Sequence, residues 1–290
     1  MYCMPKICKT SPMSYEEGYS ENKGIKIFYR DYGPKKATPV LLVHGLGAQL
    51  VHWPEHLIDF LLENNYRPIT FDNRDSGLST RFKKKPSIVL GYLRYFFRLP
   101  IKSEYTLNDM ARDGINVLNH LNINQAHIIG TSMGGMISQI ICAKYPQRVK
   151  TLTLIASTAS VPGPLNGATK EVRDMMVSRS QTTDPTMDEV YQRELKWVGL
   201  IGMEGKKLDT PKFREDTINN FNRIKKVKSI KAKTLLIHGE QDPVLNVKNS
   251  YLMNELIPDS DLIVIPNMRH LIEEEILDQF KDKLKIHLTT

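Results

Sequence analysis

The feature that most constrains this chain is a glycine-rich turn that joins an apolar run to a helical pattern near its middle. Residues 126–130 read AHIIG, residues 131–135 read TSMGG, and helical apolar spacing follows directly. The turn matches G-x-S-x-G, with Ser132 flanked two positions away by Gly130 and Gly134. Glycines there give a sharp, unfavourable turn room to pack against its neighbours. The pattern predicts a serine hydroxyl at the carboxyl end of a strand and at a helix N-terminus, where backbone N–H groups can stabilise negative charge.

Short apolar runs alternate with helical patterns along most of the chain. This rhythm predicts an α/β fold with a mostly parallel central sheet and helices on both faces. The predicted strands are residues 25–29, 40–43, 66–71, 126–130, 151–155, 233–238 and 261–265. The predicted helices are residues 53–62, 107–121, 133–144, 247–256 and 272–286.

The rhythm breaks once, and the break defines the predicted domain organisation. Strand signals fade between about residues 161 and 231, where a loop rich in Pro and Gly opens a stretch of amphipathic helical patterns. We interpret this stretch as a helical cap inserted into the core. The predicted organisation is an N-terminal tail over residues 1–17, a core formed by residues 18–160 and 232–290, and a cap over residues 161–231.

Composition narrows the function mainly by exclusion. Hydrophobic residues make up 41% of the 290 residues and charged residues 25%, as in ordinary globular proteins. No apolar run approaches the ~20 residues of a membrane-spanning helix, and we expect no secretory signal. Three cysteines, an odd and sparse set, favour a reducing cytoplasm over a disulfide framework. The net charge is +8, but the basic residues are scattered without a nucleic-acid-binding motif, so we expect no nucleic-acid partner.

A serine hydroxyl is a weak nucleophile and requires a general base. At a turn of this type the acid and then the histidine follow the serine along the chain. That order excludes His44, His52, His56, His120 and His127, which all precede Ser132. His238 precedes the carboxylates of its own loop, and His287 lies near the chain end. His270, in the loop after the last predicted strand, is the candidate base.

The acid that orients this histidine is expected in the loop after the preceding strand, which reads HGEQDPV. Asp242, followed by proline, is the favoured candidate because its shorter side chain has less rotamer freedom to lose. Glu240 remains the alternative. The acid would fix the tautomer of the histidine and stabilise the imidazolium.

Two backbone N–H groups are candidates for an oxyanion hole. One belongs to Met133, directly after the serine, and the other to Leu46, in the loop HGLG that follows the strand over 40–43. Glycines around Leu46 permit the required backbone placement. We interpret His44, in the same loop, as a structural residue that hydrogen-bonds the loop.

Two further segments can each be interpreted either as structural or as functional. Asp72, Arg74 and Asp75 in FDNRDSGLS are more simply a hydrogen-bonded turn that braces the neighbouring loops than a metal site, and we predict no metal. The segment over residues 81–102 combines basic residues with apolar and aromatic ones, notably at 88–97. It would suit a membrane-surface helix, but a helix packed near the site entrance is favoured.

Together, HGLG, FDNRDSGLST, YTLNDMARDG, GTSMGGMISQ, HGEQDPV and the late His270 resemble the α/β-hydrolase superfamily over roughly residues 18–288. Within it, the chain is similar to the esterase branch that includes aclacinomycin methylesterase-like proteins. The resemblance implies the α/β-hydrolase fold, a hydrolase without metal or cofactor, and a helical cap over the site. It also implies a Ser132–Asp242–His270 triad with oxyanion donors at Leu46 and Met133.

One departure from the resemblance concerns the residue before the histidine, which is glycine in many relatives and Arg269 here. Arg269 could narrow the entrance or lower the pKa of His270 by like-charge repulsion.

The leading hypothesis is a carboxylic-ester hydrolase for a small-molecule ester. The alternatives are a hydrolase of C–C bonds in vinylogous diketones and, in a different class, a non-catalytic ligand-binding protein. A serine at the turn argues against dehalogenases and epoxide hydrolases, and the lack of H-G-G-P-G against proline iminopeptidases. The oligomeric state is not predicted.

Overall fold

An eight-stranded sheet organises the part of the chain that the computed structural model describes, residues 14–82, 104–159, 169, 170, 172 and 227–290. The strands are β1 (Tyr15–Asn22), β2 (Ile25–Tyr32), β3 (Thr38–Val43), β4 (Tyr66–Phe71), β5 (Ala126–Thr131), β6 (Val149–Ile155), β7 (Lys233–Gly239) and β8 (Ser260–Ile265). Their order across the sheet is β1-β2-β4-β3-β5-β6-β7-β8. Only the pairs β1/β2 and β2/β4 are antiparallel, so the predicted mostly parallel sheet is confirmed.

Helices cover both faces of this sheet. They are α1 (Glu55–Glu63), α2 (Leu107–His120), α3 (Met133–Lys144), α4 (Lys248–Leu256), α5 (Glu274–Leu277) and α6 (Lys281–Leu288). One hydrophobic cluster joins the sheet to α2, α3 and α4, and the other joins it to α1, α5 and α6. Adjacent residues of β3 serve opposite faces, since Leu41 belongs to the first cluster and Leu42 to the second. A strand covered on both faces has no polar side, which explains its continuous apolar sequence.

The start of α2 shows how local sequence sets an element boundary. The Thr106 side chain accepts a hydrogen bond from the N–H of Asp109, while the Asp109 carboxylate accepts one from the N–H of Thr106 at 2.8 Å. This reciprocal capping box satisfies two N–H groups that lack partners within the helix. The helix therefore begins at Leu107, as predicted.

All seven predicted strands are present, but two other expectations are wrong. β1 begins at Tyr15, inside the segment assigned to the tail, and it was not predicted, because this mostly exposed edge strand carries no apolar alternation. The single helix expected over residues 272–286 is two helices. The N–H of Phe280 bonds the carbonyl of Leu277, a tighter turn than an α-helix, and the Phe280 ring is buried in the core. Most of the predicted cap, and the basic and aromatic segment over 83–102, lie outside the described residues.

Candidate active site

Ser132 lies directly between β5 and α3, in a strained backbone conformation. Its φ of 53° and ψ of −121° are unfavourable for a residue with a side chain, at a cost of about 1–3 kcal/mol. Two contacts hold this conformation. The N–H of Ser132 donates to the carbonyl of Ile155 at 2.9 Å, and the hydroxyl of Ser157 donates to the carbonyl of Ser132 at 2.8 Å. The predicted turn is thus present, with its serine at the carboxyl end of the sheet.

The glycines of the turn are required by close backbone packing. A Cβ on Gly134 would overlap the carbonyl of Val43, at the end of β3. A Cβ on Gly130 would lie 2.6 Å from the carbonyl oxygen of Gly134. The first turn of α3 therefore rests directly on the backbone of its neighbours, which fixes the height of Ser132 above the sheet.

His270 and Asp242 form a close pair in the loops after β8 and β7. The Nδ1 of His270 lies 2.7 Å from Oδ2 of Asp242, and the carboxylate is fully buried. Oδ1 of Asp242 accepts the N–H groups of Val244 and Leu245 at 2.8 and 3.0 Å. Burial alone would raise the pKa of Asp242, but the His270 charge and the histidine hydrogen bonds lower it to about 2. An ionised Asp242 accepts a hydrogen bond from the N–H at Nδ1 of His270, which leaves Nε2 unprotonated and able to accept a proton.

Backbone hydrogen bonds join the loops that carry the serine, the aspartate and the histidine. Ser132, Ala156 and Glu240 directly follow β5, β6 and β7. Each donates its N–H to a carbonyl within the last three residues of the next strand, at 2.9, 2.8 and 3.0 Å. Because these strands are parallel neighbours, their ends form one edge of the sheet. The three candidate residues therefore occupy one edge.

The loop after β3 is next to both Ser132 and His270. A Cβ on Gly45 would lie 3.1 Å from Cβ of Ser132 and 3.6 Å from its Oγ. The Nδ1 of His44 accepts the N–H of Gly45 at 2.7 Å, and the carbonyl of His44 accepts the Asn73 amide at 3.0 Å. Burial, with smaller contributions from His52 and His270, lowers the pKa of His44 to about 3. His44 is therefore neutral and braces the loop, as expected from the sequence.

The two candidate oxyanion donors flank the serine. Met133 is the first residue of α3 and is buried, while Leu46 follows Gly45 in the loop after β3 and is partly buried against the core. Both N–H groups thus belong to segments that contact Ser132. Their role in holding an oxyanion stays a prediction.

The loop after β4 is a hydrogen-bonded turn, as the sequence suggested. The Asp72 carboxylate accepts the N–H groups of Leu50 and Leu78 at 2.8 and 2.9 Å, which ties the turn to the segment before α1. Arg74 forms a bidentate ion pair with Asp113 of α2, at 2.7 and 2.8 Å. Among the described residues, no group of three or more His, Cys, Asp or Glu side chains is arranged to hold a metal ion.

Sequence reasoning missed one residue of the site, His238 at the end of β7. Its side chain is fully buried, and its Nε2 lies 3.3 Å from Oδ2 of Asp242. The order of residues removed His238 as a candidate base, and it gave no reason to connect the ring to the acid. The available signal was the spacing in HGEQD, which sets the histidine and the aspartate four residues apart across a tight turn.

Comparison with known proteins agrees with this fold. A family model described as alpha/beta hydrolase fold matches residues 38–195, more than half of the chain. The chain therefore belongs to the α/β-hydrolase fold family, as the resemblance of its motifs implied. Within the described ranges, no helix has the length and apolarity needed to cross a bilayer.

The relatives include esterases of several kinds at low identity. Lipase 1 of Psychrobacter immobilis is 26% identical over 276 residues, covering 90% of this chain and 80% of the lipase. Rhodomycin D methylesterase DauP of Streptomyces sp. (strain C5) is 22% identical over 284 residues, covering 86% of this chain and 90% of the methylesterase. Among solved structures, 2-hydroxy-6-oxo-6-phenylhexa-2,4-dienoate hydrolase from Rhodococcus sp. strain RHA1 has a TM-score of 0.72 at 16% identity, over 96% of this chain and all of that one. The last similarity shows the shared fold.

Proposed function

We propose that this protein is a serine hydrolase that cleaves carboxylic esters of small or medium substrates through an acyl-enzyme intermediate. The observation that carries the proposal is the 2.7 Å pair of His270 and buried Asp242, on the same sheet edge as Ser132 in its strained turn. Lipase and methylesterase relatives support an ester as the substrate. No metal or cofactor enters the proposed reaction.

In the proposed mechanism Ser132 Oγ attacks the ester carbonyl while Nε2 of His270 accepts its proton. Asp242 holds the histidine tautomer and stabilises the imidazolium. The N–H groups of Leu46 and Met133 stabilise the oxyanion of the tetrahedral intermediate. His270 then protonates the departing alcohol, and a water activated by His270 hydrolyses the acyl-enzyme.

The test is hydrolysis of p-nitrophenyl esters, from acetyl to palmitoyl, by the wild type and by Ser132→Ala. We expect kcat to fall on the order of 10⁶-fold in the variant, because the three residues of the proposed triad act as a unit and the variant lacks the nucleophile. Ser260→Ala, at the opposite end of β8, is the matched control and should retain full turnover. A Ser132→Ala variant with comparable turnover would exclude Ser132 as the nucleophile.

The same samples separate the alternatives. A fluorophosphonate should label the wild type and not Ser132→Ala. Labelled protein that hydrolyses no ester but cleaves a dienoate would be a C–C bond hydrolase. Folded protein that neither labels nor turns over any substrate would be a non-catalytic binding protein.

We also propose a cytoplasmic location and a cap over residues 161–231. The location is supported by the one described cysteine, Cys142, which is a buried free thiol whose pKa burial raises. The cap is supported by the helical patterns of that segment and by a contact of one of its described residues, since the N–H of Thr169 donates to the carbonyl of Pro243 at 2.9 Å. Pro243 directly follows Asp242, so Thr169 lies beside the candidate site.

A further inference from the structure

The carboxylate of Asp242 is contacted by two histidines, and the proposed mechanism uses only one of them. Oδ2 lies 2.7 Å from Nδ1 of His270 and 3.3 Å from Nε2 of His238. Both the His238 ring and the carboxylate have no solvent exposure. A polar ring in such a position costs free energy unless each of its nitrogens is hydrogen-bonded.

The partners of His238 assign its tautomer. Nε2 lies 2.8 Å from the carbonyl oxygen of Leu245, which can only accept, so Nε2 carries the proton. In the neutral ring Nδ1 must then accept, and the buried hydroxyl of Ser250 in α4 donates to it at 2.6 Å. The proton on Nε2 is consequently donated to the Leu245 carbonyl, and the same nitrogen lies 3.3 Å from Oδ2 of the Asp242 carboxylate.

This arrangement joins four side chains around the Asp242 carboxylate, which the two histidines approach from different loops and strands. The Ser250 hydroxyl sets the tautomer of His238, Nε2 of His238 lies beside the Asp242 carboxylate, and Asp242 accepts the N–H of His270. The N–H of Leu245, whose carbonyl binds His238, also binds Oδ1 of Asp242. His238 therefore supports the carboxylate directly and through the loop that carries it.

We propose that His238 is a positioning residue, which holds the Asp242 carboxylate charged and oriented toward His270, with Ser250 fixing its tautomer. The proposal rests on the proposed function. A hydrogen bond to a carboxylate withdraws part of its charge, so His238 also moderates how strongly Asp242 stabilises the His270 imidazolium. The titratable groups that act on Asp242 are His270 and His238, and His270 in turn acts on His44.

The test is NMR titration of the His270 imidazole in wild type, His238→Leu, His238→Gln and Ser250→Ala. Removing the N–H makes Asp242 more basic, so the pKa of His270 should rise by about half a unit or more in His238→Leu. The glutamine amide can replace the Nε2–H donor and should restore the wild-type value. Ser250→Ala should shift the pKa of His270 in the same direction by less. His127→Gln, another buried histidine on the sheet, is the matched control and should leave the titration unchanged.

Kinetics provides a second readout. We expect kcat to fall roughly 10- to 100-fold in His238→Leu, as for loss of a hydrogen bond to a charged group, with KM little changed and the acid limb of kcat/KM moved to higher pH. An unshifted His270 in folded His238→Leu would overturn the proposal. If that variant does not fold, an unshifted His270 in Ser250→Ala would do so. Failure of the proposed function is distinguishable, because the titration of His270 requires no turnover.

Discussion

At the scale of single residues, the site depends on backbone atoms as much as on side chains. Ser132 is held in a left-handed conformation by hydrogen bonds from its own N–H and to its carbonyl, and Gly134 lets helix α3 contact the end of β3. Two different properties of glycine are involved in such turns, freedom at positive φ and absence of a Cβ. Gly134 is needed for the second, because no positive φ occurs there.

This distinction predicts unequal effects of alanine at two glycines. Gly134→Ala places a Cβ against the backbone of Val43 and His44, which cannot rotate away, so we expect a loss of several kcal/mol of unfolding free energy, on the order of a severe core substitution. Gly24 has a φ of 77° and open space around its Cβ position, so Gly24→Ala should cost only about 1 kcal/mol. Urea denaturation midpoints measure both. Equal midpoints in the two variants would contradict the steric explanation.

At the scale of elements, a buried ion pair joins the loop after β4 to helix α2. Arg74 and Asp113 are each less than 10% exposed and form two hydrogen bonds. The guanidinium carbon of Arg74 also forms cation–π contacts with the neighbouring rings of Phe82 and Tyr105, at 5.9 and 5.3 Å from their centroids. The pair therefore connects α2 to the turn that begins at Asp72, whose carboxylate in turn holds the segment preceding α1.

Breaking this pair should be much more costly than breaking an exposed one. Asp113→Ala leaves a buried guanidinium without its counter-charge, and we expect a loss of about 3–5 kcal/mol of unfolding free energy. The matched control is Glu17→Ala, which removes the partly exposed partner of Arg30 and should cost at most about 1 kcal/mol. The double variant Arg74→Met/Asp113→Leu should recover much of the loss in chemical denaturation. A double variant no more stable than Asp113→Ala would show that the charge is not the cause.

The elements also show what sequence could and could not predict. The strands covered on both faces were found because burial leaves them continuously apolar, and α3 was predicted from Met133 to Lys144, as observed. β1 was missed because YEEGYSEN lies at an exposed edge, where no burial pattern exists. Asp242 and His270 were selected by chain order, whereas the contact of His238 depends on the path of a turn, which spacing alone does not specify.

At the scale of the whole molecule, the two hydrophobic clusters pack on opposite faces of the sheet, and two buried histidines contact strand β6 within it. His127 of β5 contacts the Thr151 hydroxyl at 2.7 Å, and Nε2 of His287 in α6 lies 3.1 Å from the carbonyl of Leu152. Both partners belong to β6, and His287 contributes to lowering the pKa of His127. Burial, aided by Lys150 for His127 and by Lys233 for His287, lowers the pKa of each histidine to about 4.

These pKa values predict the pH dependence of stability. Each histidine is neutral in the folded protein until about pH 4, whereas the unfolded chain binds the proton near pH 6.5. The unfolded state therefore binds more protons between these values. The contribution of these histidines to the unfolding free energy is fully present above pH 6.5. It is lost as pH falls toward 4, with a slope of at most about 1.4 kcal/mol per pH unit for each histidine. Asp242 does not contribute in this pH range, because the stability that its lowered pKa provides is lost only between pH 3.8 and about pH 2.

Urea denaturation at pH 7.5, 6.5, 5.5 and 4.5 measures this slope. His127→Gln and His287→Gln each remove one of the three described histidines whose pKa is lowered, the third being His44, so each variant should show a shallower decline than the wild type over that range. The exposed His120 is the matched control, since His120→Gln changes a side chain in contact with solvent at the end of α2 and should leave the slope unchanged. Parallel declines in the wild type and in both variants would mean that proton binding at His127 and His287 does not govern the acid stability of the fold.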